Sequence, residues 1–360
     1  PGQLLGSQND MATIRLMIAL FSATQETGYS DLKKQMLWFI VSIPVILILI
    51  FVDYELIAKI SPVFYGIFII LLVAVLFTEP INGATSWFEF KFFSLQPAEF
   101  AKIFVILTFA FVICKIQKKG RNEINKPWKL LVSLLIVGIP ILLIIKQPDY
   151  GTAAAYIVAM LMILFTAGID KKYIIGCVLI IAIAVPLLYQ FVLPEHAKSR
   201  IKIFLNPDSD PRGAGYNVIQ SKLAIGAGQL TGMGILKGNQ TQLGFLYPKT
   251  TDFIFSVIGE EMGFVVAAGV IIVYVILITK AIYVAKTAKD DLGSYIAMGI
   301  AGIFLFHMVE NIGMTMGLLP ITGVPLPFVS YGGSSLLTNF ILIAILLSIS
   351  GRRQKAIFIE

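Results

Sequence analysis

Asp252 stands where a long polar stretch, roughly residues 194–250, gives way to the apolar run Phe253-Ile254-Phe255. A carboxylate at such a boundary can serve as a general base, and ionised groups held at membrane depth have functional roles by default. The alternative is an N-cap for the following helix after Thr250 and Thr251. Glu99 and Lys102 are three apart and share one helix face. They read either as a neutralising pair or as a phosphate-contacting lysine with its orienting acid. Asp149, in the short turn Lys146-Gln147-Pro148-Asp149-Tyr150-Gly151, either caps a helix or touches substrate. Trp87 suits an interfacial anchor. His307, Glu310 and Asn311 lie on one helix face, as a proton relay or as a hydrogen-bond network between helices.

The elements that must position these residues are membrane helices. Hydrophobic residues make up 57% of the 360, charged residues only 14%, and the mean hydropathy is +0.86. Apolar runs of spanning length cover Met36–Val52, Ile60–Phe77, Ala98–Ile116, Trp128–Ile145, Gly151–Ala167, Tyr173–Leu193, Phe253–Ala285, Ser294–Leu319 and Phe328–Ser350. A further run, Met11–Thr24, spans only about 21 Å as a helix. Pro1 is not an initiator, so residues 1–10 are expected to be an incomplete or replaced N-terminus. The expectation is an all-α polytopic membrane protein of about ten transmembrane helices, one domain over 1–360, with one long extracytoplasmic loop at 194–250.

Orientation follows from the cations. Lys115, Lys118, Lys119, Arg121, Lys126 and Lys129, with Lys171, Lys172, Lys280, Lys286, Lys289, Arg352 and Arg353, fall on one set of connections, which the positive-inside rule makes cytoplasmic. Asp252 and the long loop then face outward. The net charge of +7 reports topology and contact with anionic membrane lipids, not nucleic acid. Cys114 and Cys177 fall inside helices, and with only His196 and His307 neither a metal cluster nor a Ser/His/Asp triad is indicated.

Two stretches are irregular by composition. The loop carries Arg200, Lys202, Arg212 and Lys222, and its glycines 226, 228, 232, 234 and 238 are too many for a stable helix interior. They suit close backbone approach to a ligand, a re-entrant turn packed on protein, or a flexible surface loop. Residues 316–332, MGLLPITGVPLPFVSYG, read as a rigid, non-helical segment whose backbone groups must be buried in protein or line a wet cavity.

That last segment, with NGATSW, QPAEFAK, QPDYGTA, GAGYNVIQSKLAIGAGQLTGMG and TDFIFSVIGEEMGF in the same order, resembles the SEDS family (shape, elongation, division and sporulation) over nearly the whole chain. NPDSDPRGAGYNVIQSK and NIGMTMGLLPITGVPLPFVSYGGSS are closer to its elongation branch than to its division branch. The resemblance implies a peptidoglycan glycosyltransferase that polymerises lipid II at the outer face of the bacterial plasma membrane, for elongation and cell shape, beside a class B penicillin-binding protein as transpeptidase. It implies Asp252 as the essential aspartate and Trp87, Glu99, Lys102 and Asp149 as substrate contacts, to which the loop cations Arg212 and Lys222 are added. Alternatives are a lipid-linked precursor flippase, or the division or sporulation paralogue. Relatives usually read Leu-Pro-Glu-x-His/Gln-Thr-Asp where this chain has Leu246-Tyr247-Pro248-Lys249-Thr250-Thr251-Asp252, so an acid is missing and a cation stands beside its place.

The chemistry agrees. Glycoside hydrolysis needs two carboxylates because the departing sugar oxygen must be protonated. A diphosphate leaving group needs cationic stabilisation instead, from Lys, Arg or a divalent metal. One carboxylate as base then suffices. Glu260 lies about 12 Å deeper along the helix and Glu261 points away, so both are read as structural hydrogen-bonding groups.

Overall fold

The computed structural model describes residues 19–24, 29–80, 84–90, 94–176, 179, 190 and 195–353, with the side chain of His196 excepted. The first ten residues, most of the Met11–Thr24 run, most of the Tyr173–Leu193 run and Cys177 lie outside the described residues.

The helices are α1 Ser30–Phe51, α2 Tyr54–Ala74, α3 Pro97–Gln117, α4 Pro127–Lys146, α5 Tyr150–Ala167, α6 Glu195–Leu205, α7 Ala214–Ala227, α8 Asn239–Gln242, α9 Ile254–Thr287, α10 Asp291–Thr315 and α11 Gly333–Gly351. Two short antiparallel strands, β1 Phe88–Glu89 and β2 Ser94–Leu95, precede α3. Among the described residues, seven helices are long and apolar enough to cross a membrane: α1, α2 with its continuation to Phe77, α4, α5, α9, α10 and α11. The helix α3 has comparable length but buries most of its side chains. The expected all-α membrane architecture is present. Pro44, Pro62 and Pro140 sit inside α1, α2 and α4, as membrane helices tolerate.

The chain divides into two compact units. One comprises Ile40–Val192, Ile276–Phe306 and Gly333–Glu360. Its core joins α2 to α3 through stacked Phe64–Phe104 and Phe68–Phe104 rings and a 3.0 Å hydrogen bond between the Ser61 and Thr108 hydroxyls. Tyr65 ties α2 to α4 by donating to the Ile136 carbonyl at 3.0 Å. Pro97 and Pro127 open α3 and α4 at positions where no backbone donor is needed, and Gly168 closes α5 in the left-handed region.

The other unit comprises Pro1–Phe39, Leu193–Val275 and His307–Gly332. The long loop is substantially helical. The helix α7 runs from Ala214 to Ala227, and of the five glycines at 226 to 238 only Gly226 falls within it, in keeping with their being too many for a helix interior. The rest follow its end and let the chain lie against α9. There α9 breaks at Gly263, whose φ of 76° and ψ of −178° no other residue adopts readily. The carbonyls of Glu260 and Glu261 receive the amides of Met233 (2.9 Å) and Gly234 (3.0 Å), and the amides of Phe264 and Val265 reach Gln229 O (2.8 Å) and Leu230 O (3.2 Å). Residues 229–234 thus replace the missing helical turn. Of the readings open for this stretch, the re-entrant turn packed on protein is the one observed.

The run Ser294–Leu319 also ends early, at Thr315, and the last helix starts at Gly333 rather than Phe328. Residues 316–332 between them are non-helical.

Candidate active site around Asp252

Asp252 lies two residues before α9 in a turn held from several sides. Phe253 N donates to Pro248 O at 3.2 Å, Tyr331 N to Thr250 O at 2.9 Å, and the Ser330 hydroxyl to Thr251 O at 2.6 Å. Asn311 Nδ2 bridges Asp252 O (3.1 Å) and Val324 O (2.9 Å). The non-helical segment is therefore one wall of the site, and α10 supports it. His307 Nδ1 pairs with Pro325 O at 3.0 Å and the Thr322 hydroxyl donates to Glu310 Oε1 at 2.8 Å. The face His307/Glu310/Asn311 is a hydrogen-bond network that joins this wall and the turn carrying Asp252. Tyr274 donates to Pro327 O, while Gln35 donates to Ser330 O and accepts from Gly332 N, each at 3.2 Å.

Asp252 as a whole residue is half-buried. Desolvation pushes its carboxylate above the ordinary aspartate value, while a hydrogen bond from Thr251 and the charge of Arg200 pull it back. Oδ2 faces Gly323, where an added β-carbon would lie 3.5 Å away. Arg200, on α6, donates to Thr322 O at 3.3 Å. Lys249, the cation beside the missing acid, is buried and donates to Thr241 O at 2.8 Å.

The deeper acids are engaged structurally. Glu260 accepts from Gln240 N (2.7 Å), Thr241 N (2.9 Å) and the Thr241 hydroxyl (2.6 Å). Glu261 Oε1 accepts from Ser22 (2.6 Å) and Gln242 (2.8 Å). This matches the structural role expected of both.

Of the loop cations, Arg212 is exposed on the turn before α7. Lys222 is also exposed. Its stem lies over Gly317 beside a small apolar groove lined by Ile203, Phe204, Val218, Leu319 and Ile321, and Asp252 is not among the lining residues. The cation whose charge reaches Asp252 is Arg200, which the sequence presented only as one of several basic loop residues.

In the other unit Glu99 and Lys102 form a 2.7 Å ion pair with side chains 2% and 1% exposed. Lys102 faces an apolar cavity lined by Val105, Phe109, Val137, Tyr156 and Ile163. Asp149 caps α5 through Thr152 N at 3.0 Å and accepts from Gln96 Nε2 at 3.1 Å. Gln96 N in turn donates to Ser334 Oγ at 3.3 Å, and Tyr156 donates to Ala98 O at 2.6 Å. The QPAEFAK, QPDYGTA and GGSS stretches therefore meet around the start of α3. Trp87 is half-buried just before β1.

A family model described as "Cell cycle protein", that of FtsW, RodA and SpoVE, matches residues 10–355. The chain belongs to this family. Its SEDS resemblance is thereby confirmed. The protein is 38% identical to the peptidoglycan glycosyltransferase MrdB of Escherichia coli K12, over 82% of this chain and 78% of that one. It is equally 38% identical to a probable peptidoglycan glycosyltransferase FtsW of Trichlorobacter lovleyi, over 91% and 86%. Among solved structures, one described as a peptidoglycan synthase complex coordinating polymerization and crosslinking superposes with a TM-score of 0.81 at 25% identity, covering 96% of both chains. The rod shape determining protein RodA of Thermus thermophilus shares the fold, with a TM-score of 0.70 at 24% identity over 96% and 95%.

Proposed function

We infer that this family member is a peptidoglycan glycosyltransferase, polymerising lipid II at the outer face of the bacterial plasma membrane. The observation that carries the reading is Asp252: a half-buried residue whose carboxylate has raised basicity, in a turn clamped by the 322–331 wall, with the deeper acids hydrogen-bonded elsewhere. The names of relatives at 38% identity support the reaction class.

In this reading Asp252 takes the proton from the 4-hydroxyl of the acceptor's N-acetylglucosamine. The oxygen attacks the anomeric carbon of the donor chain, the bond to undecaprenyl diphosphate breaks, and the configuration inverts. Raised basicity favours the proton transfer. The leaving diphosphate departs as an anion and needs cations, not an acid. Arg212 and Lys222 are proposed for that role on the outer loop, and Trp87, Glu99, Lys102 and Asp149 as contacts for lipid-linked substrate. A class B penicillin-binding protein is the proposed partner, in keeping with the synthase complex that the fold resembles. The elongation role rests on the loop and C-terminal wording.

The test is polymerisation of purified lipid II in detergent. Wild type should build long glycan and Asp252→Asn should build none while remaining folded. A protein that carries lipid-linked sugar across vesicles yet never lengthens glycan would overturn the reading in favour of a flippase.

A further inference from the structure

The wall that backs Asp252 also holds a guanidinium. Arg200 is half-buried on α6, and its Nη1 donates to Thr322 O at 3.3 Å. The same threonine donates its hydroxyl to Glu310 Oε1 at 2.8 Å, and Glu310 is 6% exposed on α10. The next residue, Gly323, is the one that Asp252 Oδ2 faces, and the one after, Val324, shares Asn311 Nδ2 with Asp252 O. Three consecutive residues thus link α6, α10 and the carboxylate.

We propose that Arg200 is a positioning residue for Asp252, and that Glu310 acting through Thr322 keeps the Arg200 guanidinium at its station beside the carboxylate. The proposal rests on the reading of Asp252 as the base.

The physical argument concerns where the charge is spent. A guanidinium anchored on a neutral carbonyl keeps its full charge uncompensated at the anchor, and four of its five N–H donors remain for other use. Its field then acts on the nearby carboxylate. Burial alone would drive Asp252 towards the protonated form, in which it could not accept a proton, and Arg200 opposes that drift. The other groups around Asp252 that can carry charge are Lys249 upstream, His307 and Glu310 on α10, Tyr331 on the wall and Glu260 within α9. Lys249 Nζ is drawn to Thr241 O and His307 pairs with Pro325 O, Glu310 accepts from Thr322, and Glu260 accepts from residues 240 and 241; the cation whose charge acts on the carboxylate is Arg200. Tyr331 meets the site through its backbone amide.

The test is the pH profile of lipid II polymerisation by the purified full chain, for wild type, Arg200→Gln, Arg200→Lys and Thr322→Val. Arg200→Gln should move the acid limb to higher pH and recover towards the wild-type rate on the alkaline plateau. Below the limb each pH unit of displacement lowers the rate about tenfold. Arg200→Lys should keep the limb close to wild type, and Thr322→Val should move it part of the way. A loss in Arg200→Gln by one constant factor at every pH, with the limb unmoved, would mean that the guanidinium contacts the leaving diphosphate and would overturn the proposal. Should Arg200→Gln fail to fold, Thr322→Val decides alone: an unmoved limb overturns the proposal. Asp252→Asn separates the two levels. If it is inactive while Arg200→Gln leaves the limb unmoved, only the role of Arg200 fails; if it is active, the base assignment itself fails.

Discussion

Replacing Lys102 by Met leaves Glu99 with no cation at 2.7 Å inside a site where both side chains are 1–2% exposed. At an effective dielectric of 20, two unit charges at that distance attract by roughly 6 kcal/mol. Desolvation offsets part of this in the intact pair, and an acid left behind keeps its desolvation cost without the attraction of Lys102. Breaking one side of a buried pair costs about 3–5 kcal/mol, whereas replacing both sides by uncharged groups of similar volume is often nearly neutral. The cavity around Lys102 is apolar, so a methionine fits it chemically. Lys102→Met should therefore be the unstable variant, and Glu99→Gln/Lys102→Met should regain most of the loss. The assay is the fraction of monodisperse protein surviving a temperature series in detergent, run beside lipid II polymerisation. If the single variant were as stable as wild type, or the double as unstable as the single, the reading of the pair as a mutual neutraliser would be refuted. If the double is stable yet inactive, Lys102 has a duty towards substrate beyond neutralising Glu99.

Three further outcomes are expected. Gly228→Ala should destabilise strongly, because the added carbon would lie 1.8 Å from Gly259 O, whereas Gly226→Ala meets nothing within 4 Å and should stabilise α7 by about 0.5–1 kcal/mol; melting curves check both. Asp149→Ala should cost about 1–2 kcal/mol through its lost cap, while Asp149→Asn keeps an acceptor for Thr152 N. Activity lost in Asp149→Asn at unchanged stability would support substrate contact. In wild type the acid limb of polymerisation should lie above the ordinary aspartate value of 3.8, because the base works only when ionised and burial raises its proton affinity.

The sequence made the wall beside Asp252 legible as a class of structure and left its contacts illegible. Prolines 320, 325 and 327 and glycines 317 and 323 exclude a helix, and at membrane depth the freed backbone groups demand partners. Those partners proved to be Gln35, Arg200, Tyr274, His307 and Asn311, contributed from four helices, α1, α6, α9 and α10. Only His307 and Asn311 are linked by helical spacing; no periodicity links α1, α6, α9 and α10 to one another. The α10 end was misread for a related reason: Met316, Leu318 and Leu319 continue the apolar run, but Gly317 adopts a φ of 70° and turns the chain at Thr315. Apolar content reports the solvent, not the backbone. The glycines after α7 leave ligand approach, a turn packed on protein and a flexible loop all open; what lies against Gly228 and Gly232 is the α9 backbone, which the break at Gly263 explains.

That break bears on which acid does chemistry. Opening α9 at Gly263 frees the carbonyls of Glu260 and Glu261, and the 229–234 turn occupies them; the two side chains, in turn, fix α8 and Ser22. Both glutamates thus help to hold the re-entrant turn in place, and their hydrogen-bonded oxygens serve α8 and Ser22 rather than the turn that carries Asp252. Asp252 is differently placed, since its carbonyl is bound by Asn311, its side chain faces Gly323, and the residue as a whole keeps partial exposure. Glu260→Gln and Glu261→Gln should consequently lose activity only in proportion to folded protein. Glu260→Ala should lose about 3 kcal/mol or more, because it strands the amides of residues 240 and 241. Asp252→Asn should instead lose activity with its melting curve unchanged. Activity normalised to the folded fraction separates the cases, and a normalised loss in Glu260→Gln as deep as that of Asp252→Asn would place the chemistry on α9 rather than in the turn before it.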